Sequence, residues 1–559
     1  MRQQYEPSAD RIIALYQQLE DDILSAVIRR ILKMGYVSEA SKHQLEVLQA
    51  AGLLYDDIVQ LIADRTDACT AQVKALFEDA GVQTVSIDNS LHEAAGALPI
   101  DIRQDSSTRQ VLEAGYKKTL GTMRNLVSTT ATQTQTAFIQ TCDRIYMQVS
   151  SGAFSYQEAI MNALRALADT GAEVVYPTKH KDRMDVAVRR CVLTGVSQTA
   201  AAVSLRQAED AGCYLMEITA HSGARPDHAK WQGQLVTITG KDAGKIIDGL
   251  RVFTLSEIGY GSGEGFKGWN CRHNWHAYYP GFSTPNYTPE ELKRLDEPCI
   301  SYNGKLYTEY EVSQMQRAQE RRVRAWKRRC ITAQESVNSA TDEATRATAQ
   351  AEYSKSAVHL KANEEKLKDF CKQTGQNRDR FREQVYGFGR SEAQRAVQAN
   401  NSSFRNTMRQ KGIKNPPESI AEFKKMMYNK PDEYKLMQTY SKSVDSGMIS
   451  PLVGYEKYKE YHKRVEKELV GLTTSNGIEI KSQSDHFLER VFGTISDPTH
   501  EGAKRSGVEL EDIAEALKNG SVRQHKNGSY IYKSHNCEVS LNPNTGNLIQ
   551  VTPKKRNVP

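Results

Sequence analysis

Through roughly the first 210 residues the apolar positions keep a helical period. Ile12, Tyr16, Leu19, Ile23 and Val27 fall three or four apart, and Leu24, Ile28 and Ile31 widen the stripe until Gly35, which can close a helix in the left-handed conformation. Similar patterns cover 45–62 and, past the break at Pro99, 111–147, so residues 1–211 read as helices with short loops. Near Tyr214 the period shortens. Tyr214, Met216 and Ile218, then Leu235, Val236 and Ile238, alternate with polar neighbours between Gly, Asp and Ser turns, which predicts a compact mixed module over 212–283.

Residues 284–375 are basic, and the Ala-, Glu-, Gln-, Lys- and Arg-rich stretch 309–367 suits an extended helix or coiled-coil arm. Residues 376–480, broken at Pro416, Pro417, Pro431 and Pro451, read as linking helices. Over 481–559, helices at 485–492 and 509–519 precede strand-like runs at 529–532, 539–541 and 548–552, with Asn527-Gly528 and Asn544-Thr545-Gly546 as hairpin turns. The expected class is multidomain α+β: a mostly helical N-terminal region, a small mixed module, a helical arm, and a small C-terminal α+β domain with an antiparallel sheet.

At 559 residues the chain is long enough for about three or four domains. Its formal charge of +6 is too diluted for a nucleic-acid sleeve, yet it is matched by one short segment. Over 314–329, seven Lys and Arg face the single acid Glu320. Arg321, Arg322, Arg324, Lys327 and Arg328, with Trp326 among them, could neutralise DNA phosphates or an acidic partner surface; the plain alternative is a solvated helix face. Nine cysteines without repeated spacing argue against a disulfide scaffold and for assembly in a reducing cytoplasm. No apolar run approaches a membrane span, and no export signal is expected.

The chemistry-bearing residues concentrate in the mixed module. His221, His228, Cys271, His273 and His276 are five imidazole or thiol groups in one small region, and tetrahedral zinc needs four such donors. The set His221, His228, Cys271 and His273 admits a structural zinc, although the spacing is not that of a standard finger and a hydrogen-bonded polar core, with His221 and Arg225 fixing loops, is the simpler reading. A His-Asn-His nuclease is excluded because His273, Asn274 and His276 are too close in sequence to surround one metal and one phosphate. Gly240 to Ile246 is not a phosphate loop: three residues separate its glycines, and no Ser or Thr follows the lysine. The glycines at 259, 261, 263, 265 and 268 suit turns. In the C-terminal module His486 and Arg490 stand at i and i+4, on one helix face, with Phe487, Leu488 and Val491 on the other.

The run from His221 to Gly233, followed by Gly259 to Gly263 and Gly268 to His273, with Trp231 and Trp269 at their places in it, resembles the bacteriophage minor capsid (MuF-like head morphogenesis) family. That resemblance implies a virion protein near the portal, with portal and capsid proteins as partners, phage DNA as a further one, and a part in head assembly or DNA delivery. Residues 484–553 are similar to the barnase, EndoU, colicin E5/D and RelE-like ribonuclease domains appended to phage head proteins. This second resemblance implies metal-independent cleavage of host RNA by an effector delivered with the genome. His486 would be the general acid or base, Arg490 would hold the phosphate, and Thr552 would orient it. Against this stands the charge over 484–559, ten basic residues to nine acids, where an RNA binder should be strongly basic. The rival expectation is a wholly structural virion protein whose C-terminal domain binds portal, scaffold or DNA.

Overall fold

The computed structural model describes residues 6–36, 38–102, 104–493 and 506–554. Some charges counted in the C-terminal balance, at 497–505 and 555–556, lie outside the described residues. The chain divides into two compact units, Met1–Val397 and Gln398–Pro559.

The first unit opens with helices α1 (Glu6–Met34), α2 (Ala40–Ala94), α3 (Ser106–Ser150) and α4 (Tyr156–Thr170). The hairpin β1 (Glu173–Val175) and β2 (Lys181–Arg183) then leads into α5 (Met184–Asp210). The stripe read from the sequence is the buried face of α1: Ile12, Tyr16, Leu19, Ile23 and Val27 are all 0% exposed. Each such burial stabilises by about 1.5–3 kcal/mol before chain entropy is subtracted. Gly35 follows the helix with φ +67°, as its place at the end of the stripe requires. Asp105 caps α3 by accepting from the backbone N–H groups of Ser107 and Thr108.

Helices α3 and α5 cross closely because each sets a glycine against a threonine of the other. A Cβ on Gly115 would lie 2.1 Å from Thr199 Oγ1, and one on Gly195 would lie 2.1 Å from Thr119 Oγ1. The conformational cost of glycine inside a helix is offset here by close helix packing.

The mixed module is a five-stranded sheet built from β3 (Leu215–Ile218), β4 (Leu235–Thr237), β5 (Ile246–Ile247), β6 (Leu250–Thr254) and β7 (Trp275–Tyr278), in the order β5-β6-β4-β3-β7. The one-turn helix α6 (Pro226–Ala229) follows β3. Only β4 and β6 run parallel. The interior strand β3 is buried on both faces, so alternation was an incomplete guide: Glu217, at an expected outward position, is 0% exposed. Its carboxylate accepts from Asn286 N and Nδ2 (2.9 and 2.7 Å) and faces His276 Nε2 at 3.3 Å.

After α7 (Pro289–Leu295) and the hairpin β8 (Ile300–Tyr302) and β9 (Lys305–Tyr307), the expected arm folds as two helices, α8 (Glu309–Ser339) and α9 (Glu343–Thr374). Asp342 ends the single-arm reading, because its side chain caps α9 at Thr345 N. Nor is the pair a solvated arm. Val312, Val323, Cys330, Ala349, Ala357 and Leu360 are fully buried, and α8 packs on α1 and α4.

Helix α10 (Arg390–Gln410) runs across the division. The second unit adds α11 (Ile420–Asn429), α12 (Pro431–Asp445), α13 (Tyr455–Glu468), β10 (Ser482–Gln483), α14 (Asp485–Val491), α15 (Leu510–Asn519), and strands β11 (Ser521–Gln524), β12 (Tyr530–Lys533), β13 (Cys537–Asn542) and β14 (Asn547–Pro553). Its sheet order is β10-β14-β13-β12-β11, antiparallel except for β10 beside β14. Both expected hairpin turns are present, with Gly528 at φ +86° and Gly546 at φ +67°. The helices read as linkers share one core with this sheet: Met437, Tyr440, Tyr458 and Val465 pack in the same cluster as Phe487, Leu517 and Val539.

The α3–α5 crossing yields a direct test. Gly195→Ala is expected to destabilise by about 1–3 kcal/mol, the usual cost of overpacking, whereas Gly121→Ala, on an open face of α3, should stabilise by roughly 0.5–1 kcal/mol through helix propensity. Thermal unfolding of the two variants checks both signs.

Candidate metal centre

Three loops meet beside β3 and β7. His221 follows β3, His228 sits on α6, and Cys271 and His273 lie between the glycine-rich loop and β7. Pro226 at the start of α6 fixes the backbone that presents His228. The glycine-rich loop is packed on itself: a Cβ on Gly265 would meet Gly259 O at 2.0 Å, and one on Gly268 would meet Ser262 O at 2.0 Å. The loop thereby delivers Cys271 and His273 to the interior. His228, Cys271 and His273 are all buried, and their ligand atoms lie within 4.8 Å of one another.

The hydrogen bonds around this triad fix the tautomers. His228 Nε2 lies 2.8 Å from the Glu264 carbonyl, which can only accept, so Nε2 carries the proton and Nδ1 a lone pair. His273 Nε2 lies 3.2 Å from Gln232 Oε1, an oxygen identified by the His221 backbone N–H that also donates to it. Its Nδ1 is therefore a lone pair too. These two lone pairs face each other at 3.3 Å, and Cys271 Sγ stands 3.6 Å from His273 Nδ1. Tetrahedral zinc, with Zn–N of about 2.0–2.1 Å and Zn–S of about 2.3 Å, sets N···N edges of about 3.3–3.4 Å and N···S edges of about 3.5–3.6 Å. The two edges that meet at His273 Nδ1, to His228 and to Cys271, have the spacing of such a tetrahedron. Outward Nε2–H bonds to carbonyl oxygens are the usual support of imidazole ligands. A purely hydrogen-bonded core satisfies these atoms less well, since the thiol supplies one proton where two facing lone pairs need a shared cation.

His221 is adjacent but outside the triad. Its Nδ1 is 2.9 Å from the Ser222 carbonyl, its ring is 4.4 Å from that of His273, and its buried Nε2 has no hydrogen-bond partner. It is the protein atom available for a fourth position. His276 is drawn away to Glu217, its cross-strand neighbour. Trp231, 2% exposed, stacks on His228 and sets its edge against His273. Sequence reasoning missed Gln232 and Lys267. Lys267 is buried with φ +60° and Nζ 3.0 Å from Asn274 Oδ1, and burial pushes its pKa down to about 8.

The other residues singled out from sequence are dispersed. On α8, Arg324 Nη1 lies 3.3 Å from Asp185, Arg328 lies 3.7 Å from both Glu20 and Asp185, and Lys327 Nζ donates to the Glu383 carbonyl at 2.8 Å. These three are held inside the molecule; Arg321 and Arg322 are exposed. In the second unit His486 Nδ1 is 3.3 Å from Glu489, and Arg490 Nε donates to His486 Nε2 at 3.3 Å. Arg490 is only 5% exposed. Thr552, on β14 opposite Glu538, hydrogen-bonds to neither.

Burial, followed by the nearby His221 and His228, pushes the His273 pKa from 6.5 down to about 2; His228 and His221 are also lowered, first by burial. The folded state thus favours neutral rings while the unfolded chain binds protons below about pH 6.5. Stability from these histidines is complete above that pH and is lost as pH falls. For metal-free protein, the melting temperature is expected to decline below about pH 6.5, and more shallowly in His273→Gln, as scanning calorimetry across that window would record.

The chain is 24% identical over 333 residues to a structural protein of Lactococcus phage LL-H, covering 57% of this chain and 86% of that protein. It is 37% identical over 81 residues to a structural protein of Lactococcus phage mv4, covering 14% of this chain and 57% of the other. No solved structure matches. The family model for phage minor capsid protein 2 matches residues 2–372, which takes in the helical bundle, the metal-donor triad and the α8–α9 pair, and the chain belongs to that family.

Proposed function

We propose that this minor capsid protein is a structural component of the virion beside the portal, and that a zinc ion held by His228, Cys271 and His273, with His221 as fourth ligand, clamps its mixed module. The observation that carries the metal is the pair of Nδ1 lone pairs 3.3 Å apart with a thiol beside them. The position beside the portal follows from the head-morphogenesis resemblance. Purified virions are expected to contain the chain, and the purified protein about one zinc per chain by elemental analysis. Cys271→Ser should release the metal and lower the melting temperature, since structural zinc contributes directly to folding. Metal-free wild-type protein with the same melting temperature as Cys271→Ser would reject the zinc clamp.

For the second unit we infer a binding role within the particle rather than catalysis. Arg490 is 5% exposed and spends its Nε–H on His486, so its guanidinium does not stand open to a phosphate from solvent. A ribonuclease reading retains one favourable observation: the partly exposed His486 has a carboxylate, Glu489, on its Nδ1, which is how a general base is oriented. Incubation of the chain with total bacterial RNA in a chelator separates the two. Wild type and His486→Ala are expected to leave the RNA equally intact; cleavage that disappears in His486→Ala would establish the effector.

A further inference from the structure

Against the triad lies a pocket of about 220 Å³, lined on one side by His221, His228 and His273 themselves and on the other by a strongly cationic wall. Arg225 comes from the residue before α6, Arg272 stands between Cys271 and His273, and Arg317 reaches in from α8 with Tyr310, Ser313 and Gln314. Arg225 spends one donor, Nη2, on the Trp269 carbonyl at 2.9 Å. Arg272 and Arg317 have no hydrogen-bond or ion-pair partner among the described residues. This sets Arg317 apart from the basic residues two and three turns further along the same helix, where Arg324, Arg328 and Arg329 all face carboxylates. Arg317 is also crowded by its own kind: burial, then Arg272 and Arg382, pushes its pKa down to about 10. Arg189 is depressed to about 10 by burial, then by Arg382, Arg317 and Arg324.

Gathering like charges in a half-buried pocket destabilises the fold unless a counter-charge arrives. We propose that the pocket bounded by Arg225, Arg272 and Arg317 is a binding site for a phosphate group. Guanidinium groups suit that ligand, because each offers paired donors matching two phosphate oxygens. Ser313 and Gln314 add neutral donors on the α8 side. The rim carries a further cue. Trp269, which also lines the pocket, is 52% exposed, with part of its ring against Gly263. An exposed indole beside a phosphate pocket is an arrangement that holds single-stranded nucleic acid, phosphate in the pocket and base on the ring. The pocket shares His221, His228 and His273 with the proposed zinc clamp, but the phosphate reading rests on the three arginines of the opposite wall and not on the metal.

Calorimetric titration of the full chain with inorganic phosphate and with a thymidine tetranucleotide tests this, each measured with and without a chelator. Both probes are expected to bind under both conditions, and Arg317→Gln should weaken each by about tenfold, the scale of one charge-assisted hydrogen bond. Arg225→Gln should weaken them similarly, whereas Arg321→Gln, one exposed turn further on α8, should change nothing. Melting curves confirm that each variant is folded. If the phosphate belongs to a strand, the tetranucleotide binds more tightly and Trp269→Ala removes the excess; equal affinities identify free phosphate as the source. The proposal is overturned if neither probe binds or if Arg321→Gln matches Arg317→Gln. It also fails if a pentaglutamate peptide binds as well as phosphate, or if the chelator abolishes binding and so assigns the phosphate to the metal.

Discussion

The first unit depends on a charge cluster buried where α1, α5 and α8 meet. Glu20 and Asp185, 1% and 2% exposed, are shared among Arg183, Arg324 and Arg328. Burying these groups is worthwhile only as a complete set: losing one partner of such a cluster costs about 3–5 kcal/mol because a charge is left uncompensated. The cluster therefore fixes the rotation of α8 about its axis. Arg317 and Arg324 are seven residues apart, two helical turns, so they project from nearly the same face. Once Arg324 is held at Asp185, Arg317 is committed to the pocket beside the triad.

A second constraint comes from the glycine-rich loop. The glycines at 259, 263, 265 and 268 are required by collisions within the loop and Gly261 by its φ of +73°, and the compact path they permit brings Cys271 and His273 back against α6. The triad is thus assembled by two short segments about 40 residues apart, each rigid for its own reason: Pro226 in one, interlocking backbone in the other. Such preorganisation would let the proposed metal bind without the cost of ordering its ligands.

Much of this was legible in the sequence where the cause is local. The α1 stripe, Gly35, the hairpin turns at Gly528 and Gly546, and the gathering of histidines with Cys271 all follow from periodicity or residue type. What remained hidden depends on residues far apart in the chain. The basic run on α8 reads as a surface because its acids, Glu20, Asp169 and Asp185, lie well over 100 residues away. Nothing local announces that Gln232 supports His273, or that Glu217 claims His276. The strands β10 and β11 are too short or too exposed to carry a pattern.

Helix α2, at 55 residues, has a contour length of about 80 Å at 1.5 Å per residue. Near one end Leu45, Leu48 and Leu53 stand exposed on its surface; near the other, His92 Nδ1 meets Tyr279 OH at 2.8 Å, immediately beyond β7. A continuous helix resists axial compression, so this one works as a push rod. A push on its leucine-bearing end would reach the strand that follows the triad, so the exposed leucines and the histidine–cysteine module are joined by one rigid element.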